Sequence, residues 1–492
     1  MTDADDSVRY AALGDGAATT LAPDPTIAAT DDPRPIAEGI IMRYDSFLAS
    51  KTPRAHAAGI DPGPMNPALF DYQMASVAFC LRMGRAALFL DTGLGKTLCE
   101  LEFAHQAMAA SNGYALILTP LAVAKQTERE AVKFGYDARV VRDQSDVAPG
   151  INICNYDRLD KIDTSAFAVV VLDESSILKN FSGKTTRLLI ETFRDAPFRL
   201  CATATPAPND YIEIGTHAEF LGVMTQAEML VRWFINDTND TGNWRLKNHA
   251  RIAFWDWMAS WAVMAESPED MGFDGSRFIL PPLQIHKHKA ESGIMPQDGL
   301  FGFNVSATKV HALKRETAAS RADAVRAIVD TDMGSPWLIW CDTNPEADEL
   351  VKVLPSAVDV RGAHSVEFKE GAVMAFVDGC ERVLISKPSI MGMGMNFQHC
   401  RNMVFTGRSF SYESWYQAVR RCWRFGQTML VNVHLIVAEG EDEIGRVIDR
   451  KADAHAAMKA EMRAATRRNI GTESATKAPY NPTFTGRLPS WM

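Results

Sequence analysis

The sequence has no long apolar run, no paired cysteine spacing and no excess of positive charge, and each absence removes a class of function. No apolar stretch approaches the ~18–20 residues that a membrane-spanning helix needs, so a membrane role is not expected. The opening MTDADDSVRY contains no apolar core of a secretory signal. The eight cysteines (80, 99, 154, 201, 341, 380, 400 and 422) stand singly, without a CxxC or a Cys/His cluster. That pattern disfavours zinc and predicts reduced thiols used as small core residues in a cytoplasmic setting. With a formal net charge of −10 the chain has no global attraction to nucleic acid, so any such contact needs a local basic surface.

What is present suits a multidomain globular protein. A chain of 492 residues is too long for one core, and 47% hydrophobic with 23% charged residues is ordinary for a soluble fold. Residues 1–60 are rich in Ala, Asp, Thr and Pro without periodicity and read as an acidic, mobile segment. Over 61–225, continuous apolar runs (RAALFLDT, YALILTP, INICNY, FAVVVLDES, FRLCATATP) alternate with helical patterns. Continuous rather than alternating runs mark strands buried on both faces of a parallel sheet, so the expected class is α/β, doubly wound. Residues 226–305 carry five tryptophans (233, 244, 255, 257 and 261) and then GFDGSRFILPPLQ, read as a helical insertion and linker. The α/β rhythm resumes over 306–465 (SPWLIWCDTN, ERVLISKP, NMVFTG, VNVHLIV), and 466–492 reads as a polar tail.

Four stretches in the first α/β block carry chemistry, and each also has an ordinary explanation. FLDTGLGKTLCE follows a strand and opens a helix; the turn Thr92-Gly93-Leu94-Gly95 can wrap phosphate oxygens with backbone N–H groups. Lys96 would then reach the β/γ-phosphates and Thr97 would ligate Mg²⁺. Leu90 stands where a strict P-loop has glycine, and a plain glycine turn is the alternative. VVVLDESS ends a strand in two carboxylates: Asp173 suits a Mg²⁺ shell and Glu174 a water-activating base, unless both merely begin a helix. Thr203 and Thr205 of CATATP could hydrogen-bond to that acidic pair, or simply close a strand. Upstream, Gln73 could pair with an adenine edge and Tyr72 or Phe70 could stack on the base; a helix start is the alternative.

Late in the chain, YQAVRRCWRFGQ reads as a helix with Gln417, Arg421 and Arg424 on one stripe. Charge develops on the γ-phosphate during phosphoryl transfer, and an arginine from a second domain can stabilise it. Arg421 and Arg424 fit that role; a solvated basic face or a nucleic-acid contact are the other uses.

Taken in order, Gln73, GLGKT, LTPLAVAKQTEREAVKFG, DESS, TATP, ISKPSIMGMGMNF and QAVRRCWRFGQ resemble the superfamily 2 helicases, within them the Snf2-like branch. The resemblance spans roughly 65–465. It implies two RecA-like lobes, ATP with Mg²⁺ in their cleft and duplex DNA across them, in a monomer. Position by position it implies phosphate and metal binding by Lys96, Thr97 and Asp173, water activation by Glu174, coupling by Thr203 and Thr205, and γ-phosphate sensing by Arg421 and Arg424. It assigns nucleic-acid contact or coupling to Thr119, Pro120, Thr343, Ser386, Gly392, Gly394, Asn396 and Gln427. Three departures stand out: Ser175-Ser176 replaces the usual Ala-His, Trp423 replaces His, and SKPSIMG replaces a Ser-Thr-Arg-type run. The expected activity is an ATP-dependent DNA helicase or translocase of the small phage or bacterial kind. The alternatives are an RNA helicase or an ATP-switched DNA clamp recruiting a partner through the tryptophans at 230–261.

Overall fold

Every strand of the two main sheets runs parallel to its neighbours, as the continuous apolar runs require. The computed structural model describes residues 53–111, 113–120, 123–236, 244–290, 307–391, 396–407, 409, 411–438 and 441–470. The first sheet uses β1 (Arg85–Leu90), β2 (Tyr114–Thr119), β3 (Ala138–Val141), β4 (Ile151–Asn155), β5 (Phe167–Asp173) and β6 (Phe198–Ala202). After a small antiparallel hairpin of β7 (Phe234–Asn236) and β8 (Trp244–Leu246), β9 (Ala262–Ala265) returns to it. Its order is β3-β4-β2-β5-β6-β1-β9. The second sheet comprises β10 (Leu283–Ala290), β11 (Trp337–Trp340), β12 (Val358–Val360), β13 (Val383–Ser386), β14 (Asn402–Phe405) and β15 (Val431–Ala438), in the order β10-β15-β14-β11-β13-β12.

Both faces of each sheet are covered. Along β1, Ala87 and Phe89 enter one apolar cluster while Ala86, Leu88 and Leu90 enter another on the opposite face. Leu338 and Trp340 of β11 are likewise split from Trp337 and Ile339. The period of two in the pleat makes this division obligatory once helices pack on both sides. Two helix-flanked parallel sheets in one chain are the expected α/β architecture.

The boundaries between the lobes differ from the sequence reading. The described part of 226–305 is built into both sheets: β9 pairs with β1 from Ala87↔Ala262 to Leu90↔Ala265, and β10 forms the edge of the second sheet. Trp233, Trp255, Trp257 and Trp261 are all buried in the core of the first lobe. They are therefore unavailable as a partner-docking surface. Their spacing looked like an inserted helix because the helix Arg251–Ala259 is rich in apolar residues, five of which (Phe254, Trp255, Trp257, Met258 and Ala259) are buried against the first lobe.

The helix Asp442–Ile470 also crosses the expected boundary. It leaves the second sheet after β15 but packs on the first lobe, where Met458, Met462 and Ala465 join the tryptophan cluster. Arg251–Glu461 (2.6 Å), Arg467–Asp270 (2.8 Å) and Arg468–Asp256 (2.6 Å) line its flanks. Residues 466–470 thus belong to this helix rather than to a tail.

Candidate active site

The carboxyl ends of β5, β6 and β1 lie side by side, the place where doubly wound sheets gather ligands. At the end of β1 the chain turns through Gly93 (φ 91°) and Gly95 (φ 71°) into the helix Lys96–Ser111. Positive φ favours glycine at both points. The Tyr72 hydroxyl and the Gln73 side-chain amide each donate to the Leu94 carbonyl at 2.9 Å. Gln73 Oε1 accepts from the Phe70 N–H, and a Cβ at Gly95 would fall 2.3 Å from Gln73 Nε2. Gln73 therefore braces the turn; at 3% exposure, its amide oxygen and one amide N–H are bonded within the protein.

Lys96 Nζ donates to the Leu90 carbonyl at 3.1 Å, and Thr97 is half-buried beside it. Across from them, Asp173 ends β5 and Glu174 follows in the left-handed region (φ 53°). Glu174 is the one non-glycine residue with positive φ among the described residues. Such a conformation costs about 1–3 kcal/mol and persists where surroundings enforce it. Burial, reinforced by Glu174 and opposed by Lys96, pushes the Asp173 carboxyl up to about 7. Thr203 Oγ1 donates to Glu174 Oε2 at 3.4 Å and accepts from the Thr205 N–H at 3.1 Å. Thr203 therefore touches Glu174, whereas the buried Thr205 hydroxyl, also expected to reach the acidic pair, meets no hydrogen-bond partner.

The helix expected over 416–427 ends at Val419, and residues 420–426 form successive turns. A helical stripe is thus not what aligns the arginines. They still reach the cleft: a Cβ at Gly93 would sit 2.9 Å from the Phe425 amide nitrogen and 3.7 Å from Arg424 Cβ. Burial lowers the Arg421 guanidinium from its ordinary value, while Glu174 and Asp173 act to keep it charged. Arg424 is lowered to about 10 by burial and by Arg421, against Glu130. Phe425 stacks on Phe278 at 4.7 Å, and Phe278 meets Phe70 edge-on at 5.3 Å, which closes the mouth of the turn with apolar rings.

Several residues here were not singled out by the sequence. Arg420 donates through Nη2 to the Thr92 carbonyl at 2.8 Å and pairs with Asp91 at 3.1 Å. The Tyr416 hydroxyl donates to Asp91 Oδ1 at 2.6 Å, and Lys459 of the C-terminal helix lies 3.6 Å from the same carboxylate. Burial alone would raise Asp91, but Arg420 and Lys459 hold it well below the ordinary carboxylate range. Glu100, one turn into the helix after the glycine turn, is fully buried, and neither of its oxygens meets a hydrogen-bond partner. Burial, then Asp173, raise its carboxyl well above normal. Only Glu100 had a legible signal, a carboxylate at i+4 from Lys96 on a helix face.

The residues assigned to nucleic acid fare differently. Thr119 is fully buried and donates to the Pro120 carbonyl, while Ser386, 1% exposed, donates to the Val360 carbonyl at 2.9 Å. Gln427 is pinned inside the second lobe by donation to Gln398 (2.9 Å) and Cys400 (3.1 Å) carbonyls. None of the three presents a group for a phosphate. Thr343 caps the helix Asn344–Val353 through a reciprocal bond with Glu346. Pro120 is half-buried, Asn396 is exposed, and Gly392 and Gly394 lie outside the described residues.

The donor set fits a triphosphate with a hard cation: backbone N–H groups of a glycine turn at a helix start, a lysine, a hydroxyl and a carboxylate. No three His, Cys, Asp or Glu side chains among the described residues converge as a metal cage. A cation here would need phosphate oxygens to complete its shell, the usual habit of Mg²⁺.

No protein-family description and no curated protein matches the chain. Among solved structures, it is similar to the Sulfolobus solfataricus SWI2/SNF2 ATPase core in complex with dsDNA. The two share 18% identity over 84% of this chain and 96% of that one, with a TM-score of 0.40.

Proposed function

We propose that this chain is an ATPase of the helicase type, which couples hydrolysis to movement along duplex DNA. The observation that carries the reading is the approach of Arg424 and Phe425 of the second lobe to Gly93 of the first, 3.7 Å and 2.9 Å from a Cβ placed there. In this reading Lys96 holds the outer phosphates, and Thr97 with Asp173 hold Mg²⁺. The cation supplies charge neutralisation at the phosphates. Glu174 orients a water and takes its proton, and Arg421 with Arg424 neutralise the charge that develops on the γ-phosphate. Because the two halves of the site sit on different sheets, turnover changes their relative position, and that displacement is the source of stepping. Backbone contacts independent of sequence suit such a motor.

The test is ATP hydrolysis by the purified chain with no nucleic acid, single-stranded DNA, duplex DNA and RNA in parallel, alongside Lys96→Ala. Duplex-stimulated turnover that Lys96→Ala abolishes, with displacement of a third strand from a triplex, supports the motor. Hydrolysis without displacement turns it into a clamp, and greater stimulation by RNA moves the substrate. No turnover under any condition sinks the reading.

A further inference from the structure

The departure of the acidic motif from Ala-His to Ser175-Ser176 leaves the water-activating segment without its usual imidazole, and the fold brings one from elsewhere. His217, on the helix Ile214–Leu221, is fully buried beneath the ends of β1 and β5. Its Nε2 lies 3.2 Å from Ser175 Oγ, and its Nδ1 lies 3.2 Å from the Glu213 carbonyl. The Phe89 ring of β1 meets the imidazole edge-on at 5.4 Å.

The hydrogen-bond directions follow from the partners. A carbonyl oxygen only accepts, so Nδ1 carries the proton and donates to Glu213. In the neutral ring Nε2 is then bare, and the Ser175 hydroxyl must donate to it. Burial keeps the ring neutral by lowering it to about 4.

Ser175 is bonded directly to Glu174, whose left-handed backbone must be enforced from outside. The carboxylate is steadied by Thr203 at one end, and the chain immediately after it is anchored by Ser175 on His217. We propose that His217 is a positioning residue for Glu174: acting through Ser175, it holds the strained backbone that aims the carboxylate. This rests on the reading of Glu174 as the water-activating base. His217 touches neither nucleotide nor water in this role, so its loss acts on turnover rather than on affinity.

The experiment compares His217→Leu, His217→Gln and Ser175→Ala in steady-state hydrolysis, with nucleotide-analogue binding and melting temperature alongside. His217→Leu is expected to lower kcat by about 10- to 100-fold, the effect of misplacing a reacting group by roughly an ångström, with KM within about two-fold. Gln, which keeps an acceptor near the Nε2 position, recovers most of the loss. A kcat within two-fold of wild type in His217→Leu, or a change confined to KM, overturns the proposal. Should His217→Leu not fold, Ser175→Ala cuts the same bond from the other side and must show the same selective loss of kcat. A readout independent of turnover is the ¹⁵N spectrum of the histidine rings in the full chain at pH 7. The ring signal missing from His217→Gln should be the neutral, Nδ1-protonated tautomer, and an Nε2-protonated ring there overturns the proposal. Failure of wild type to hydrolyse ATP would sink the enzymatic reading while leaving the ring assignment to be decided by the spectrum.

Discussion

Arg420 of the second lobe pairs with Asp91 of the first at 3.1 Å, with both side chains almost wholly buried. The pair does not stand alone, since Tyr416 and Lys459 converge on the same carboxylate and Lys459 also meets Glu266 at 3.2 Å. Two separate segments of the chain's C-terminal half are thereby fastened to the residue just before the glycine turn. Removing one partner of a buried pair strands the other, which costs about 3–5 kcal/mol. Arg420→Ala should therefore destabilise the protein by that order in denaturant unfolding, and Asp91→Asn by less, because a neutral amide can still bond Tyr416 and Arg420. A double variant far less damaging than the sum of the two would measure their coupling. Additive losses would show that the two do not interact.

Arg421 and Arg424 are expected to separate from Arg420 in kinetics. If they act on the γ-phosphate, Arg424→Ala lowers kcat by roughly 10³-fold while nucleotide affinity changes little. Intact turnover with weakened DNA binding would instead place this turn on the nucleic acid.

Glu174→Gln keeps size and hydrogen bonds but removes the base. Analogue and ATP binding should survive while single-turnover hydrolysis disappears, leaving ATP-bound protein on DNA. Unaltered turnover would show that Glu174 does not take the proton.

Much of this was legible because local chemistry dictated it. GLGKT had to be a turn, since Gly93 and Gly95 both take positive φ, and VVVLDES had to end a buried strand. The apolar runs likewise gave two parallel sheets. What was not legible depends on long-range packing. Nothing near Arg420 says that its partner lies 329 positions earlier at Asp91; only the folded chain brings the two together. Helical periodicity placed Arg421 and Arg424 on a stripe, yet turns after Val419 bring them to the cleft. Gln73, Ser386 and Gln427 have side chains of the right type, and only burial shows that backbone carbonyls have already claimed them. His217 carried no motif at all.

The tryptophan-rich segment makes a stability prediction that separates core from interface. Trp257 is 1% exposed and packs on Trp233 and Trp261 at 4.5 Å and 5.3 Å. Trp257→Ala should cost about 3–5 kcal/mol in chemical denaturation. A variant of undiminished stability would return the segment to the surface.

A last prediction concerns acid. His286, His434 and His288 stack across β10 and β15, with ring centroids 4.8 Å and 5.1 Å apart, and Trp337 closes one side of His434. Burial, together with the two neighbouring rings, lowers His434 from its ordinary value to about 4. Unfolded, the same imidazole titrates near ~6.5. Between these values the unfolded chain binds a proton that the folded chain refuses, so this residue's contribution is full above ~6.5 and is lost as pH falls toward about 4. Other groups titrate in the same window, some in the opposite sense, so the informative quantity is a difference. His434→Gln cannot protonate, and its melting temperature relative to wild type should rise by about 1–3 °C on acidification from pH 7 to pH 5. The gain is modest because the ring is half-exposed and solvent screens the repulsion. A difference that stays flat with pH would mean that the stack tolerates the charge and that burial does not hold His434 neutral.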